Sequence, residues 1–232
     1  MATRMAKAAS AAFLLFAVAA QVLALSGPSM AQSQAERERD LIASADRGEI
    51  VVVRQLLQQG ARINARDQRG RTALIAATQR NHVEIARHLI QEGADVNAKD
   101  FIQDTPFLFA GAEGRTEILK MTLSASADLK SINRYGGTAL IPAAHHGHVE
   151  AVKLLLATAI NKDHVNNLGW TALLEAVILG DGGPAHTEIV RLLVEAGANV
   201  DIADRDRVTP LEHAKRRGYA AMVRALAAAG AR

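Results

Sequence analysis

The apolar residues of this chain follow two kinds of pattern. Between Ala11 and Leu25 they form one nearly unbroken run, interrupted only by Gln21. From about residue 35 onward they come in short clusters, separated by turns rich in Gly, Asn and Asp. Some clusters open with Thr and continue with small and apolar residues, as in Thr72-Ala73-Leu74 followed by Ala76-Ala77. Others carry an apolar pair, such as Leu56-Leu57, Leu89-Ile90 or Leu155-Leu156. The alternation predicts pairs of short helices, the first of each pair close to its neighbours through alanine and the second facing them through its branched pair.

These clusters are periodic. The opening Thr recurs at Thr72, Thr105, Thr138 and Thr171, every 33 residues, and again at Thr209 after 38. Gly60, Gly93, Gly197 and Gly230 close equivalent second helices, and the turn between helices recurs as Asn81-His82-Val83-Glu84, Gly114-Arg115-Thr116-Glu117 and Gly147-His148-Val149-Glu150. The five additional residues of the fifth unit fall in that turn, within Gly180 to His186, and read as a flexible loop. Each mark has a physical cause. A Thr hydroxyl accepts a hydrogen bond from a backbone N–H one turn into the helix. Pro106 and Pro210 occupy the first helical position, where a missing N–H costs little. Glycine ends a helix by adopting the left-handed conformation. No unit of this size buries its own apolar face, so the units must stack.

The pattern resembles the ankyrin repeat, most closely from Gly70-Arg71-Thr72-Ala73-Leu74 through His82-Val83-Glu84-Ile85 to Glu92-Gly93-Ala94-Asp95-Val96-Asn97. The resemblance covers about residues 35–232 and implies an all-α solenoid of about six helix-turn-helix units joined by β-turn fingers. The units fall at about 35–67, 68–100, 101–133, 134–166, 167–204 and 205–232, with the terminal ones acting as caps. Several positions depart from the family pattern. Ile75, Leu108, Ile141, Leu174 and Glu212 stand where the family usually has His, which implies weaker coupling between adjacent loops. Ser126 and Ala159 replace the helix-ending Gly, and Pro142 lies inside a first helix, where it should cost an early hydrogen bond. Glu36-Arg37-Glu38-Arg39-Asp40 is expected to give the first helix a solvated face.

The apolar run belongs to a segment of another kind. Arg4 and Lys7 precede it, Gly27-Pro28 breaks it, and Ser29-Met30-Ala31 places small residues at both ends of a cleavage triplet. Residues 1–31 therefore read as a secretory signal, with cleavage expected after Ala31, a mature chain from Gln32, and a periplasmic or secreted location. No membrane association is expected after cleavage. The mature chain carries 25 Lys and Arg against 24 Asp and Glu, and no basic stripe with interleaved aromatics, so nucleic acid is a poor match. The absence of cysteine excludes disulfides, thiolate metal sites and a Cys nucleophile.

Candidate chemistry is sparse. His145-His146-Gly147-His148 is the one dense cluster of metal-ligand side chains, but His148, like His82 and His186, fills the family's turn position, and no carboxylate follows in metal-site spacing. Glu212-His213 and Asp163-His164 lack a third partner, so neither forms a catalytic triad. The glycines from 180 to 183 lack the Lys-Ser/Thr continuation of a phosphate loop. No catalytic residue, metal site or cofactor is expected.

In the ankyrin family, partners usually contact the fingertips and the exposed end of each first helix. Carried onto this chain, those positions include Phe101, Ile102, Asp104 and Glu113 in the third unit and Arg134, Tyr135, Gly137, His145 and His146 in the fourth. The fifth contributes Leu168, Trp170, Ile178 and Leu179. Three of the mature chain's six aromatics (Phe101, Tyr135 and Trp170) fall on fingers of consecutive units, the composition of an interface centre. The same rings would also suit a second arrangement, folded back over the neighbouring finger. The expected function is a non-enzymatic, monomeric module that binds another protein as a scaffold, inhibitor or helper of an exported protein. A small-molecule or metal-binding repeat protein, or a secreted effector acting on a host protein, are the alternatives.

Overall fold

The structure is a computed structural model and describes residues 32–232; the segment read as a signal lies outside the described residues. Among the described residues all regular structure is helical. The helices are α1 (Gln34–Arg47) and α2 (Ile50–Gln58), α3 (Ala73–Gln79) and α4 (Val83–Gln91), and α5 (Pro106–Ala112) and α6 (Thr116–Ser124). They continue with α7 (Leu140–His145) and α8 (Val149–Leu156), α9 (Ala172–Ile178) and α10 (Pro184–Glu195), and α11 (Pro210–Arg216) and α12 (Ala220–Ala228). Each first helix packs on the first helix of the next pair, and each second helix on the next second helix, giving two parallel rows. None of these helices is long and apolar enough to cross a membrane.

The row of first helices is close-packed because its contact residues are small. Ala76, Ala77, Ala110, Ala143, Ala144 and Ala176 are fully buried, and a methyl group at Gly111 would stand 2.9 Å from the Ala139 Cβ of the next unit. The second helices contribute one deep residue per pair: Leu89 and Leu155 are fully buried, whereas Ile90 and Leu156 are only partly covered. Helix ends follow the same economy. Gly93 takes a left-handed conformation (φ 86°), and Ser126 adopts it too (φ 63°) despite its side chain. Ala159 does not; there the Thr158 hydroxyl accepts from the Ile160 N–H and closes the turn instead.

Four first helices start as the Thr spacing predicts. Thr72, Thr105, Thr171 and Thr209 accept from Ile75, Leu108, Leu174 and Glu212 N–H at 3.0–3.3 Å. The fourth unit differs. Pro142 has no N–H to give the Thr138 carbonyl, so Ile141 N–H takes that carbonyl at 3.2 Å in a tighter turn, and the buried Thr138 Oγ1 is left without a partner. Helix α7 consequently starts only at Leu140.

Coupling between units takes routes other than the absent family His, whose place Ile75, Leu108, Ile141 and Leu174 fill as buried apolar contacts. At four of the six second helices a ring before or early in the helix lies on a turn glycine of the preceding unit: His82 on Gly48, His148 on Gly114, His186 on Gly147 and Tyr219 on Gly182. Three of these rings also donate to a preceding carbonyl, His82 to Asp46, His186 to His145 and Tyr219 to Gly180, at 2.8–3.1 Å. Between fingers, Arg66 bonds the carbonyls of Gly70 and Lys99, Lys99 bonds that of Ile132, and His164 bonds that of Gly136.

Two expectations are revised. The fifth-unit insertion is not a free loop: Asp181 accepts from Gly183 N–H and lies 2.9 Å from His186 Nδ1, and the chain goes into α10, which has 12 residues where α8 has 8. The insertion is used as additional helix because Pro184 sits at its start, where its fixed φ suits a helix. Glu38, expected on a solvated face, is buried and held by two bonds from Arg62 at 2.5 and 3.0 Å, which lower its pKa to about 2.

Replacing Pro142 with Ala restores the missing N–H and frees Ile141 N–H to reach the Thr138 hydroxyl. The expected outcome is a stabilisation of about 1 kcal/mol in chemical denaturation, the size of one helix cap. Unchanged or reduced stability would show that α7 does not suffer from the proline.

Candidate partner-binding site

Each finger is closed by one side chain five residues before its Thr. Asp67 Oδ1 accepts from the N–H groups of Arg69 and Arg71, and Asp100 Oδ1 from Ile102 and Asp104. Asn133 does the same for Tyr135 and Gly137, Asn166 for Leu168 and Trp170, and Asp204 for Asp206 and Val208, all at 2.8–3.0 Å. These five residues were not singled out from the sequence, although an Asp or Asn stands at that offset in every finger. Short polar side chains favour such turns because they satisfy local backbone donors.

The closed turn gives each position a fixed direction. Residues four before the Thr lie over the preceding finger: a methyl at Gly70 would stand 2.6 Å from the Phe101 ring, and methyls at Gly136 and Gly169 would meet Asn167 and Arg205 at 2.5 and 2.8 Å. Residues three before the Thr point outward, and Ile102, Tyr135 and Leu168 are 48%, 53% and 48% exposed. The three rings Phe101, Tyr135 and Trp170 thus occupy three different turn positions, and no ring contact links them among the described residues. The row with a common direction is Ile102, Tyr135 and Leu168.

That row edges a cavity of about 500 Å³ between the fingers and first helices of the third, fourth and fifth units. Of the ten residues expected at a partner surface, it brings together Ile102, Arg134, Tyr135, His145, His146, Leu168 and Leu179. Phe101, Trp170 and Ile178 are outside its lining: Phe101 covers Gly70 while remaining 71% exposed, and Trp170 and Ile178 are half-buried. Phe109, Ile141, Pro142, Asn133, Asn166 and Glu175 line it without having been singled out as partner-contact positions. Glu175 had a signal in the sequence, since the residues at its offset in the second to fourth units are Ala76, Phe109 and Pro142. Another depression, about 480 Å³, lies between α4 and α6, but its Glu117 and Lys120 already pair with each other at 2.9 Å.

The cavity is electrostatically uneven. The Asp104 pKa is raised to about 6, chiefly by burial and then by the nearby Asp100 carboxylate, with Arg134 working in the opposite direction. Burial also raises the Glu175 pKa, against the effect of one hydrogen bond from Asn166 Nδ2 at 2.8 Å. Arg134 lies over the Tyr135 ring, 4.7 Å from its centroid. His145 Nδ1 approaches Glu175 Oε2 only to 3.7 Å, beyond hydrogen-bond distance, and burial lowers the His145 pKa, which weakens it as a counter-charge. His146 bonds the Ala112 carbonyl at 2.8 Å through Nδ1, and both nitrogens of His186 are engaged. Among the described residues no group of three or more His, Asp or Glu is placed to hold a metal ion.

Comparison with known proteins follows the same lines. A family model described as ankyrin repeats (3 copies) matches residues 11–100 and 107–204, the first stretch beginning inside the apolar run read as a signal. An ankyrin repeat domain from Acinetobacter baumannii AYE has a crystal structure similar to this one, with a TM-score of 0.82 at 55% identity over 84% of this chain and 100% of its own. The ankyrin repeat protein EF0377 is similar with a TM-score of 0.78 at 42% identity over 81% and 96%. The putative ankyrin repeat protein YahD of Escherichia coli (strain K12) is 46% identical over 57 residues, 25% of this chain and 28% of YahD, so the chain matches little more than a quarter of that relative's length.

Asp104 makes a pH dependence testable. A carboxyl whose pKa is raised by folding, from 3.8 to about 6, opposes folding wherever the unfolded chain has already ionised. The penalty is absent below about pH 4, grows up to about pH 6 and is full above it. Asp104→Asn is therefore expected to stabilise the protein at pH 7.5 by about 1–2 kcal/mol, after discounting for partial exposure, with the gain vanishing near pH 4. Urea melts of both proteins at the two pH values measure it, and an equal effect at both would contradict the assignment.

Proposed function

The chain belongs to the ankyrin-repeat family, and we propose that it is a non-catalytic module that binds another protein through the fingers and first helices of its third, fourth and fifth units. Ankyrin repeats are generally protein-binding modules, and this chain's own contribution to the reading is the cavity edged by Ile102, Tyr135 and Leu168. Three exposed apolar or aromatic side chains in one row, with charged groups set behind them, match the composition of an interface centre. We also propose that the protein acts after export, as a scaffold, inhibitor or helper of an exported partner, on the strength of the pattern of residues 1–31.

Gly137 offers a clean test. It lines the cavity, and a Cβ there would meet Asn133 and Ile141 at 3.5–3.6 Å, ordinary contact distances. Gly137→Trp therefore fills the cavity without disturbing the turn, using the residue that the fifth unit carries at the equivalent position (Trp170). The expected result is that the C-terminally tagged full chain retains a specific protein from extract of its source cells and the variant does not, with both melting alike. Retention by both would overturn the placement of the site. Export is tested separately: fractionation should find a processed chain beginning at Gln32 outside the cytoplasm, and an unprocessed chain in the cytoplasm would end the export reading.

A further inference from the structure

Glu175 is a carboxylate where the repeat has no use for one. Its side chain is 7% exposed and lines the cavity. The equivalent positions hold Ala76, Phe109 and Pro142 in the preceding units, and in the last unit His213, which is bonded to Asp204 at 2.7 Å. Among the described residues Oε1 of Glu175 has one hydrogen bond, from Asn166, and Oε2 has none, His145 Nδ1 being 3.7 Å away. The Asn166 amide is oriented by its two backbone donors, so its Nδ2 necessarily faces Glu175. A buried carboxylate with one neutral partner is costly, and a counter-cation is the usual remedy.

Across the cavity Asp104 repeats the situation. No hydrogen bond engages its carboxylate among the described residues, and its neighbours are Asp100, Glu113 and the guanidinium of Arg134. The lining thus holds three carboxylates (Asp104, Glu113 and Glu175) against one permanent cation, Arg134, which is engaged over Tyr135. Elsewhere on the same face the protein meets such charges internally: Arg71, one residue before its Thr like Asp104, is neutralised by Asp67 and Asp46 at 2.8 and 3.0 Å. Burial raises the pKa of both Asp104 and Glu175, so each charged form would gain from a cation beside it.

We propose that the cavity receives a basic side chain, arginine or lysine, of the protein partner, with Asp104 and Glu175 meeting its charge and Ile102, Tyr135 and Leu168 covering its aliphatic stem. This rests on the partner-binding reading above and adds the chemistry of the contact. A long side chain with an apolar stem and charged tip fits a cavity whose rim is apolar and whose depth is acidic.

The test uses acetyl-Gly-Arg-Gly-amide, and the same peptide with citrulline, titrated into the purified protein and read by amide chemical shifts. The arginine peptide is expected to shift the amides of Gly137, Trp170 and Glu175 and to bind at least tenfold more tightly than the citrulline peptide. Glu175→Gln and Asp104→Asn should each weaken it severalfold, and Asp104→Asn should do so while the fold becomes more stable, which a merely structural role would not produce. Equal binding of both peptides, no binding of either, or unaltered binding by both variants overturns the proposal. The two readings separate in the retention experiment: a partner lost on Gly137→Trp but kept by both charge variants removes the basic side chain and leaves the site. A partner kept on Gly137→Trp removes the site itself.

Discussion

A single side-chain oxygen in each finger, bonded to two backbone N–H groups, is what the surface of this protein depends on. The four residues between a finger's Asx residue and its Thr have no helix to satisfy them, and an unmatched donor among the covered ones would cost up to about 1–3 kcal/mol. The oxygens of Asp67, Asp100, Asn133, Asn166 and Asp204 remove that cost and, in doing so, freeze the direction of every residue between. Stacking then repeats the geometry unit by unit. Ile102, Tyr135 and Leu168 form a row because three successive turns are the same turn, joined by bonds such as Asn167 N–H to the Tyr135 carbonyl at 2.9 Å.

The stacking itself rests on small residues. Fully buried alanines bring the first helices together, and Gly111 meets Ala139 so closely that a side chain would push the units apart. With little aromatic mass to bury, the protein relies on many short contacts, each of modest value, spread along the two rows. Rigidity of the fingers and regularity of the rows are separate properties: the first comes from polar side chains, the second from apolar ones.

That separation explains what was legible in the sequence. The 33-residue period, the Thr caps and the helix-ending glycines were plain because each depends on one residue type at one offset. The Asx position was equally periodic but alternates between Asp and Asn, and its purpose lies in backbone geometry that letters do not display. Which of the two ring arrangements holds at each finger is hidden in the letters for a related reason. Phe101, Tyr135 and Trp170 all belong to fingers, yet within a tight turn a shift of one residue changes whether a side chain covers the preceding finger or faces outward. Ile102, Tyr135 and Leu168, 33 residues apart, preserve the offset and share a direction. The insertion before α10 was misjudged by composition, since its glycines suggest freedom, whereas Asp181 and Pro184 commit it to a capped helix.

Three irregular positions of the middle units meet in one place. Pro142 deprives α7 of a bond and strands the Thr138 hydroxyl; Gly137 leaves space where the next unit has Trp170; Glu175 places a charge where the preceding units have Ala76, Phe109 and Pro142. The first and third cost stability, and none of the three improves the stacking of its neighbours. Pro142, Gly137 and Glu175 nevertheless line the same cavity. A regular fold keeps such costs mainly where function uses them, and two of them meet in this cavity, which favours the proposed partner site there.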